Sequence, residues 1–217
     1  MVRARGLLSA SMLVLLAACA DNSFVEMVHV SPLEGYINEL TEFRERRNTY
    51  FVEDETSPLV QEERASFAGL EYFEPDPSLY FVGDVRFYVQ QQTLQMVTTS
   101  GNVRDALRVG FVAFRIHGEP YRLQVYRLAD GSGEFFLPFT DSTTGTETYG
   151  AGRYVDLIPS TPNGPFELDF NRSYNPSCAY GEAEKYVCPV TPAENRLPVR
   201  VAAGERGRAD VPVQGGG

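Results

Sequence analysis

The chain has 217 residues, of which 19 are Lys or Arg and 29 are Asp or Glu, so its formal net charge is −10. A surface of that sign repels phosphate backbones, and we therefore expect no nucleic-acid partner. The length is sufficient for one domain with a sizeable hydrophobic core.

The N-terminus has the pattern of a lipoprotein signal peptide. Arg3 and Arg5 precede a thirteen-residue apolar run from Gly6 to Ala18, whose last residues form the sequence Leu-Ala-Ala-Cys together with Cys19. A membrane-spanning helix needs about 20 apolar residues, so the run is too short to be a transmembrane anchor. We expect cleavage before Cys19 and lipid on its thiol, the alternative being ordinary cleavage after Ala20. The predicted location is the extracytoplasmic side of the cell envelope, with the membrane as a partner through that lipid.

This interpretation divides the chain into four segments. They are a signal peptide over residues 1–18, a tether over 19–33, a single β-rich domain over 34–206 and a disordered tail over 207–217. The tail is assigned from its composition, which is too poor in apolar residues to form a core.

Two helices are predicted at the start of the domain. Apolar residues at spacings of three and four predict a helix from Tyr36 to Phe51. Ser57 followed by Pro58 is typical of an N-cap with proline at the first helical position, and Gly69 closes this second helix.

From Tyr80 onward the apolar period changes to two, which predicts β-strands separated by Gly-rich turns. The candidate strands cover residues 81–89, 93–99, 104–117, 121–128, 134–139, 154–158, 166–170 and 198–202. Such spacing indicates a mainly β fold, either an antiparallel barrel or a sandwich, with two short N-terminal helices.

Besides Cys19, the chain has two cysteines, Cys178 and Cys188. In an oxidising compartment, two thiols at this separation predict a disulfide. Zinc sites and redox pairs space their cysteines more closely, and His29 and His117 are the two histidines of the whole chain. We therefore expect no metal and no cofactor.

Polar and glycine residues concentrate between Thr140 and Glu205. The strings that stand out are TYGAGRY at 148–154, DFN at 169–171, NP and CAY within 175–180, EN at 194–195, and SPL and FAGL within 57–70. With these strings the chain resembles a widespread prokaryotic family, domain-of-unknown-function family sixteen eighty-four, from about Leu40 to Glu205. That family has no established reaction, so the resemblance implies membership without an activity.

Arg153 is the candidate anion clamp, because a guanidinium binds carboxylate or phosphate through two parallel hydrogen bonds. The alternative is an internal ion pair with Asp156, Asp169 or Glu194. The Gly-Ala-Gly sequence that ends at Gly152 allows either a tight bend or a close approach of two backbones.

The leading hypothesis is a binding module for a small molecule or an envelope partner, with a site at a barrel mouth. Its predicted lining residues are Arg153, Asp169, Asn171, Tyr180, Glu194 and Asn195. The alternative is a hydrolase that uses two facing carboxylates in a barrel-mouth pocket. Its candidate carboxylates are Asp141, Asp156, Asp169, Glu194 and Glu205. A third hypothesis is a structural envelope protein without a site.

Overall fold

The computed structural model describes residues 26–32, 34–128, 134–162, 164–181 and 185–207. The predicted signal peptide, Cys19 and residues 208–217 of the predicted tail lie outside these ranges. Nine strands form in chain order: β1 Val28–His29, β2 Tyr80–Gly83, β3 Arg86–Val97, β4 Val103–Ile116, β5 Glu119–Leu128, β6 Phe136–Phe139, β7 Arg153–Asp156, β8 Ile158–Pro159 and β9 Phe166–Asp169.

The strands form two open antiparallel sheets, so the sandwich is the one of the two predicted architectures that the structure supports. One sheet has the strand order β1-β2-β9-β8 and the other has β3-β4-β5-β6-β7. The main core lies between them, where Phe81 of the first sheet packs against Phe114 of the second with ring centroids 5.2 Å apart. Phe170, directly after β9, packs on Phe114 and Phe139 at 5.5 and 5.2 Å.

The longest pairing in the molecule is the hairpin of β4 and β5. Apolar side chains alternate along both strands, and one face of the hairpin enters the core. His117 and Gly118 form its turn with φ angles of 52° and 84°, the positive values that a two-residue hairpin turn requires. The predicted strands 104–117 and 121–128 are confirmed, and Glu119 and Pro120 belong to β5 rather than to the turn.

Helix α1 spans Tyr36–Glu53 and confirms the first predicted helix. The second is much shorter than predicted, because α2 covers Gln61–Arg64 alone. Ser57 does not cap it: its hydroxyl donates to the Phe51 carbonyl at 2.6 Å and accepts from the Leu59 amide at 3.2 Å, which closes the end of α1 instead. Neither α1 nor α2 is long and apolar enough to cross a membrane.

The chain changes sheets within the predicted strand 81–89. Asp84 and Val85 interrupt it, so β2 joins the four-stranded sheet and β3 joins the five-stranded one. Val85 is buried in the core at this crossing. The predicted strand 93–99 is the second half of β3.

The part of the predicted tether that the structure describes packs on the sheets. Met27 is 2 % exposed and its amide donates to the Ala113 carbonyl at 2.6 Å. Glu26 pairs with Arg115 at 2.8 Å, and β1 pairs with β2. Backbone hydrogen bonds and apolar burial therefore begin several residues before position 34.

Candidate functional site

Arg153 is fully buried at the start of β7, and its guanidinium holds a stretch of main chain. Its Nη2 donates to the Val201 carbonyl at 2.8 Å, and its Nη1 donates to the carbonyls of Ala203 and Glu205. Asp141 lies 3.5 Å from Nη2 as its buried ion-pair partner. Burial lowers the pKa of this guanidinium, and the Asp141 carboxylate opposes that change.

These contacts also explain why the predicted strand over 198–202 is wrong. The alternation of buried residues is real, since Val201 and Ala203 are in the core. Side chains take the place of a neighbouring strand, because the Val201 amide donates to Asp141 Oδ2 at 2.8 Å and its carbonyl accepts from Arg153. We call residues 201–205 the clamped segment.

Asp169 and Asn171 lie together where β9 ends. The Tyr36 hydroxyl is 3.0 Å from both oxygens of Asp169, and the Asn171 amide donates to Oδ1 at 3.0 Å. Asn171 in turn makes a two-way bond with the main chain of Asp76, accepting at 2.7 Å and donating at 2.9 Å. Burial raises the pKa of the Asp169 carboxyl, and the hydrogen bonds from Asn171 and Tyr36 oppose that rise.

Tyr180 belongs to a different network, centred on the buried Glu205. The Glu205 carboxylate accepts from Arg47 Nε at 2.7 Å, from the Tyr180 hydroxyl at 2.8 Å and from the Asn175 amide at 2.9 Å. Burial lowers the pKa of the Arg47 guanidinium, but the Glu205 carboxylate outweighs that effect and the pKa is raised. The network fastens the clamped segment to α1.

Glu194 and Asn195 are neighbours in sequence with different surroundings. Asn195 is fully buried, accepts from the Gln124 amide at 2.7 Å, and donates to the Gln124 and Pro138 carbonyls at 2.9 and 2.7 Å. The Glu194 side chain is 40 % exposed, accepts from the Tyr126 hydroxyl at 2.8 Å and pairs with Arg108 at 3.5 Å. Asn195 thus bridges two strands where their own ladder is short.

The six predicted lining residues do not surround one cavity. Asp169 and Asn171 touch each other, Arg153 and Tyr180 both bond to Glu205 at its carbonyl and its carboxylate, and the pair at 194–195 bonds to other groups. All six bond to other groups of the protein. Their role in ligand binding stays a prediction.

A cleft of about 440 Å³ lies on the face of the five-stranded sheet that points away from the main core. Phe136 and Tyr154 form its floor, and both belong to a second apolar cluster separate from the core between the sheets. Residues 185–189 and Tyr174 form its wall. We refer to it as the sheet-face cleft.

Three of the aromatic rings that line the sheet-face cleft pack against one another. The Tyr154 ring stands edge-on to Phe136 with centroids 4.5 Å apart, and edge-on to Tyr174 at 5.9 Å. The Tyr154 hydroxyl donates to the Pro189 carbonyl, and the Tyr154 and Tyr174 backbones bond to each other at 2.8 and 2.9 Å. Burial raises the pKa of the Tyr154 hydroxyl. The floor is therefore apolar and held in place from both sides.

Four charged side chains rim this floor: Arg104, Glu134, Asp156 and Lys185. Solvent reaches the Asp156 carboxyl from the cleft, and its Oδ1 accepts from the Tyr174 hydroxyl at 3.0 Å. Burial by the surrounding side chains raises the pKa of Asp156, the Tyr174 hydrogen bond opposes this rise, and the Glu134 carboxylate adds to it.

Three of these charges have no ion-pair partner in the part of the chain that the structure describes. Within the described residues, no oppositely charged side chain lies within 4 Å of Arg104, Asp156 or Lys185. The Arg104 Nη1 instead donates to the Val187 carbonyl at 3.4 Å, and the Lys185 ammonium lies 5.1 Å from the Tyr186 ring centre.

The structure bonds Cys178 to Cys188, the pairing that their spacing predicts. The bridge closes the loop whose last residues form the cleft wall, and Thr99 ties it to the end of β3, because the Cys188 amide donates to the Thr99 hydroxyl at 3.2 Å. Among the described residues, no three His, Cys, Asp or Glu side chains are placed to hold a metal ion.

Sequence reasoning identified little of this cleft. Asp156 was a candidate carboxylate, and Tyr154 stood in one of the family strings. Arg104 and Glu134 carried no signal, because they meet at the cleft only through the order of strands in the sheet. Tyr174 directly precedes the NP string, which was the one available hint.

Comparisons with known proteins agree with the fold described above. A family described as "Protein of unknown function (DUF1684)" matches residues 65–206. An uncharacterized protein of Haloarcula marismortui, solved by solution NMR, has 35 % sequence identity and a TM-score of 0.62 over 82 % of this chain and 97 % of its own. No curated protein matches the chain. The chain belongs to the DUF1684 family of proteins of unknown function.

Proposed function

We propose that the protein is an extracytoplasmic lipoprotein that binds a small organic molecule in the sheet-face cleft. The observation that carries the binding role is a set of charges of both signs, Arg104, Asp156 and Lys185, that have no ion-pair partner among the described residues and lie around an aromatic floor. The anchor is supported by the sequence pattern that ends at Cys19.

The cleft has the size and composition of a small-molecule site. Its volume of about 440 Å³ is within the range of about 300–1,000 Å³ that such sites occupy. Ligand sites combine an apolar lining with a few polar groups that fix orientation, which is the arrangement of Phe136, Tyr154 and the charged rim. Partly desolvated charges gain most from a partner that brings the opposite charge.

The anchor would hold the domain close to the membrane. The chain runs seven residues from Cys19 to Glu26, where the described fold begins. A segment of that length reaches at most about 25 Å. The cleft would then sample molecules near the membrane surface.

Ligand-observed NMR with a library of small polar and aromatic fragments tests the binding role. A cleft variant carrying Arg104→Gln and Asp156→Asn is compared with a control carrying Arg115→Gln and Glu26→Gln. The control removes one charge of each sign from an exposed pair elsewhere on the surface. Fragments should bind the wild type and the control but not the cleft variant; equal binding by all three proteins contradicts the proposal.

Intact mass of the membrane-extracted protein tests the anchor. The expected result is a mature N-terminus at Cys19 with an acyl-sized adduct, and loss of that adduct in Cys19→Ser. A mature chain that begins after Ala20 contradicts the lipoprotein assignment.

A hydrolase is the second candidate, because Asp156 and Glu134 line one cleft and the pKa of Asp156 is raised. Two carboxyl groups in one cleft, one of them with a raised pKa, are the pattern of general acid–base catalysis. Turnover of chromogenic glycosides that is abolished by Asp156→Asn, with binding retained, would favour this candidate. Binding without turnover across the substrate panel would favour the binding module.

A further inference from the structure

Charges of opposite sign occupy opposite ends of the sheet-face cleft. The negative end is at the β6–β7 edge, where Asp156 is paired with Phe136 across the two strands and Glu134 precedes Phe136 by two residues. Glu134 lies near enough to Asp156 to raise the pKa of its carboxyl.

The positive end of the cleft lies towards the opposite edge of the same sheet. Arg104 is on β4, which β5 and β6 separate from β7. The row of Asp156 continues through Phe136 and Tyr126 to Arg108, and Arg104 lies four residues further along β4. Three strand spacings of about 4.8 Å and four residues of about 3.3 Å place the backbones of Arg104 and Asp156 about 20 Å apart. The Arg104 side chain bonds to the Val187 carbonyl of the cleft wall, and Lys185 lies two residues before it.

Outside the cleft, several arginines of the described residues form ion pairs with carboxylates. Arg47 with Glu205, Arg153 with Asp141 and Arg115 with Glu26 are examples. In the cleft, Arg104 and Asp156 line one cavity together with Phe136, Tyr154 and Tyr174, and neither charge has an ion-pair partner among the described residues. Such a separation keeps two charges of opposite sign available to one molecule.

We infer that the ligand of the sheet-face cleft is a zwitterion whose two charges are held apart, of the class of short peptides with free ends. This inference rests on the proposed binding function. The ammonium group would donate to Asp156 and Glu134, and the carboxylate would accept from the Arg104 guanidinium. A simple anion would meet repulsion at Asp156, and a simple cation would meet it at Arg104.

The length of the cleft favours two or three residues over a single amino acid. An extended peptide spans about 3.3–3.6 Å per residue, so a tripeptide covers about 10 Å. The Arg104 and Asp156 side chains and their hydrogen bonds to the peptide ends cover the remaining distance, and Arg104 extends into the cleft as far as the Val187 carbonyl. The packed aromatic rings of the cleft accept apolar side chains without a specific hydrogen bond and so do not require one peptide sequence.

Calorimetric titration of the full chain with Ala-Ala-Ala and Ala-Tyr-Ala tests the inference. Each peptide is compared with its N-acetylated form and its C-terminal amide, which remove one charge each. Both caps should weaken binding at least tenfold, because each removes a charge-assisted hydrogen bond. Equal or tighter binding of the capped peptides overturns the inference.

Two single substitutions test which end of the peptide binds to which charged residue. In Asp156→Asn the N-acetyl group should no longer weaken binding while the amide still does, and in Arg104→Gln the reverse should hold. The control Arg115→Gln should respond to both caps as the wild type does. If neither free peptide binds while fragments of the earlier screen still do, the zwitterion inference fails and the binding function stands; if nothing binds, both fail.

Discussion

The buried Glu205 offers a test of what holds the last part of the domain in place. Its carboxylate accepts one hydrogen bond each from Arg47 Nε at 2.7 Å, the Asn175 amide and the Tyr180 hydroxyl, and it forms an ion pair with Arg47, whose Nη2 lies 2.6 Å away. Glu205→Gln keeps the size of the side chain but replaces one acceptor oxygen with an NH2 group. In either orientation of the new amide, its NH2 group faces a hydrogen-bond donor, which is the Arg47 guanidinium on one side and the Asn175 amide on the other.

The expected loss follows from these contacts. Breaking a buried ion pair by neutralising one partner costs about 3–5 kcal/mol. The Arg47 side chain is 21 % exposed, so water compensates part of its lost partner. We therefore expect Glu205→Gln to lower the free energy of unfolding by about 3 kcal/mol, at the low end of that range. For a domain of this size that corresponds to a fall of about 6–12 °C in Tm.

Glu147→Gln is the matched control. Glu147 pairs with Arg200 through side chains that are 29 % and 51 % exposed, and an exposed pair contributes less than about 1 kcal/mol. Urea unfolding followed by circular dichroism measures both variants, with the slope of the transition checked for two-state behaviour. Losses that agree within about 1 kcal/mol would refute the assignment of Glu205 as the central acceptor of the network.

Three further predictions concern other parts of the fold. Replacing Cys178 and Cys188 by Ser should lower stability by about 2.5–3 kcal/mol through the freed loop, and treating the wild type with reductant should lower Tm in the same direction. Because the pKa of Asp156 is raised in the folded state, wild-type stability relative to Asp156→Asn should fall as pH rises above 3.8 and level off above the folded pKa; a parallel pair of Tm curves would contradict this. Gly152→Ala should lower the free energy of unfolding by about 2 kcal/mol or more, because φ is 98° and the added Cβ would lie 2.7 Å from a backbone carbonyl oxygen. Gly118→Ala, which is also at positive φ but in open space, should lower it less, and thermal unfolding of both variants measures the difference.

Local pattern was sufficient where a strand has one buried face. Val112 and Phe114 of β4 are buried while Arg115 is exposed, and the same alternation in β5 set the register of the hairpin. The pattern failed at Ser57, because the sequence cannot show whether a hydroxyl starts the following helix or ends the preceding one. Here the Phe51 carbonyl received that hydrogen bond.

The candidate site could not be predicted from the local sequence pattern, and the reason is a different one. The donors of Arg153 reach carbonyls about fifty residues further along the chain, and nothing near position 153 distinguishes those partners from an anionic ligand. Likewise, Arg104 and Asp156 share a cleft because β5 and β6 lie between their strands. Strand order, and not spacing in sequence, decides which charges face each other.

The clamped segment affects the order in which the parts of the protein can fold during synthesis. Arg47 and Arg153 are made early and midway in synthesis, yet their acceptors are at residues 201–205. A nascent chain halted before Val201 already contains all nine strands of the described fold, but it lacks the carboxylate that Arg47 binds and the three carbonyls that Arg153 binds. The last step of folding must therefore wait until residues 201–205 have been synthesised. A chain truncated after residue 200 should remain sensitive to proteases, whereas a chain truncated after residue 207 should resist them.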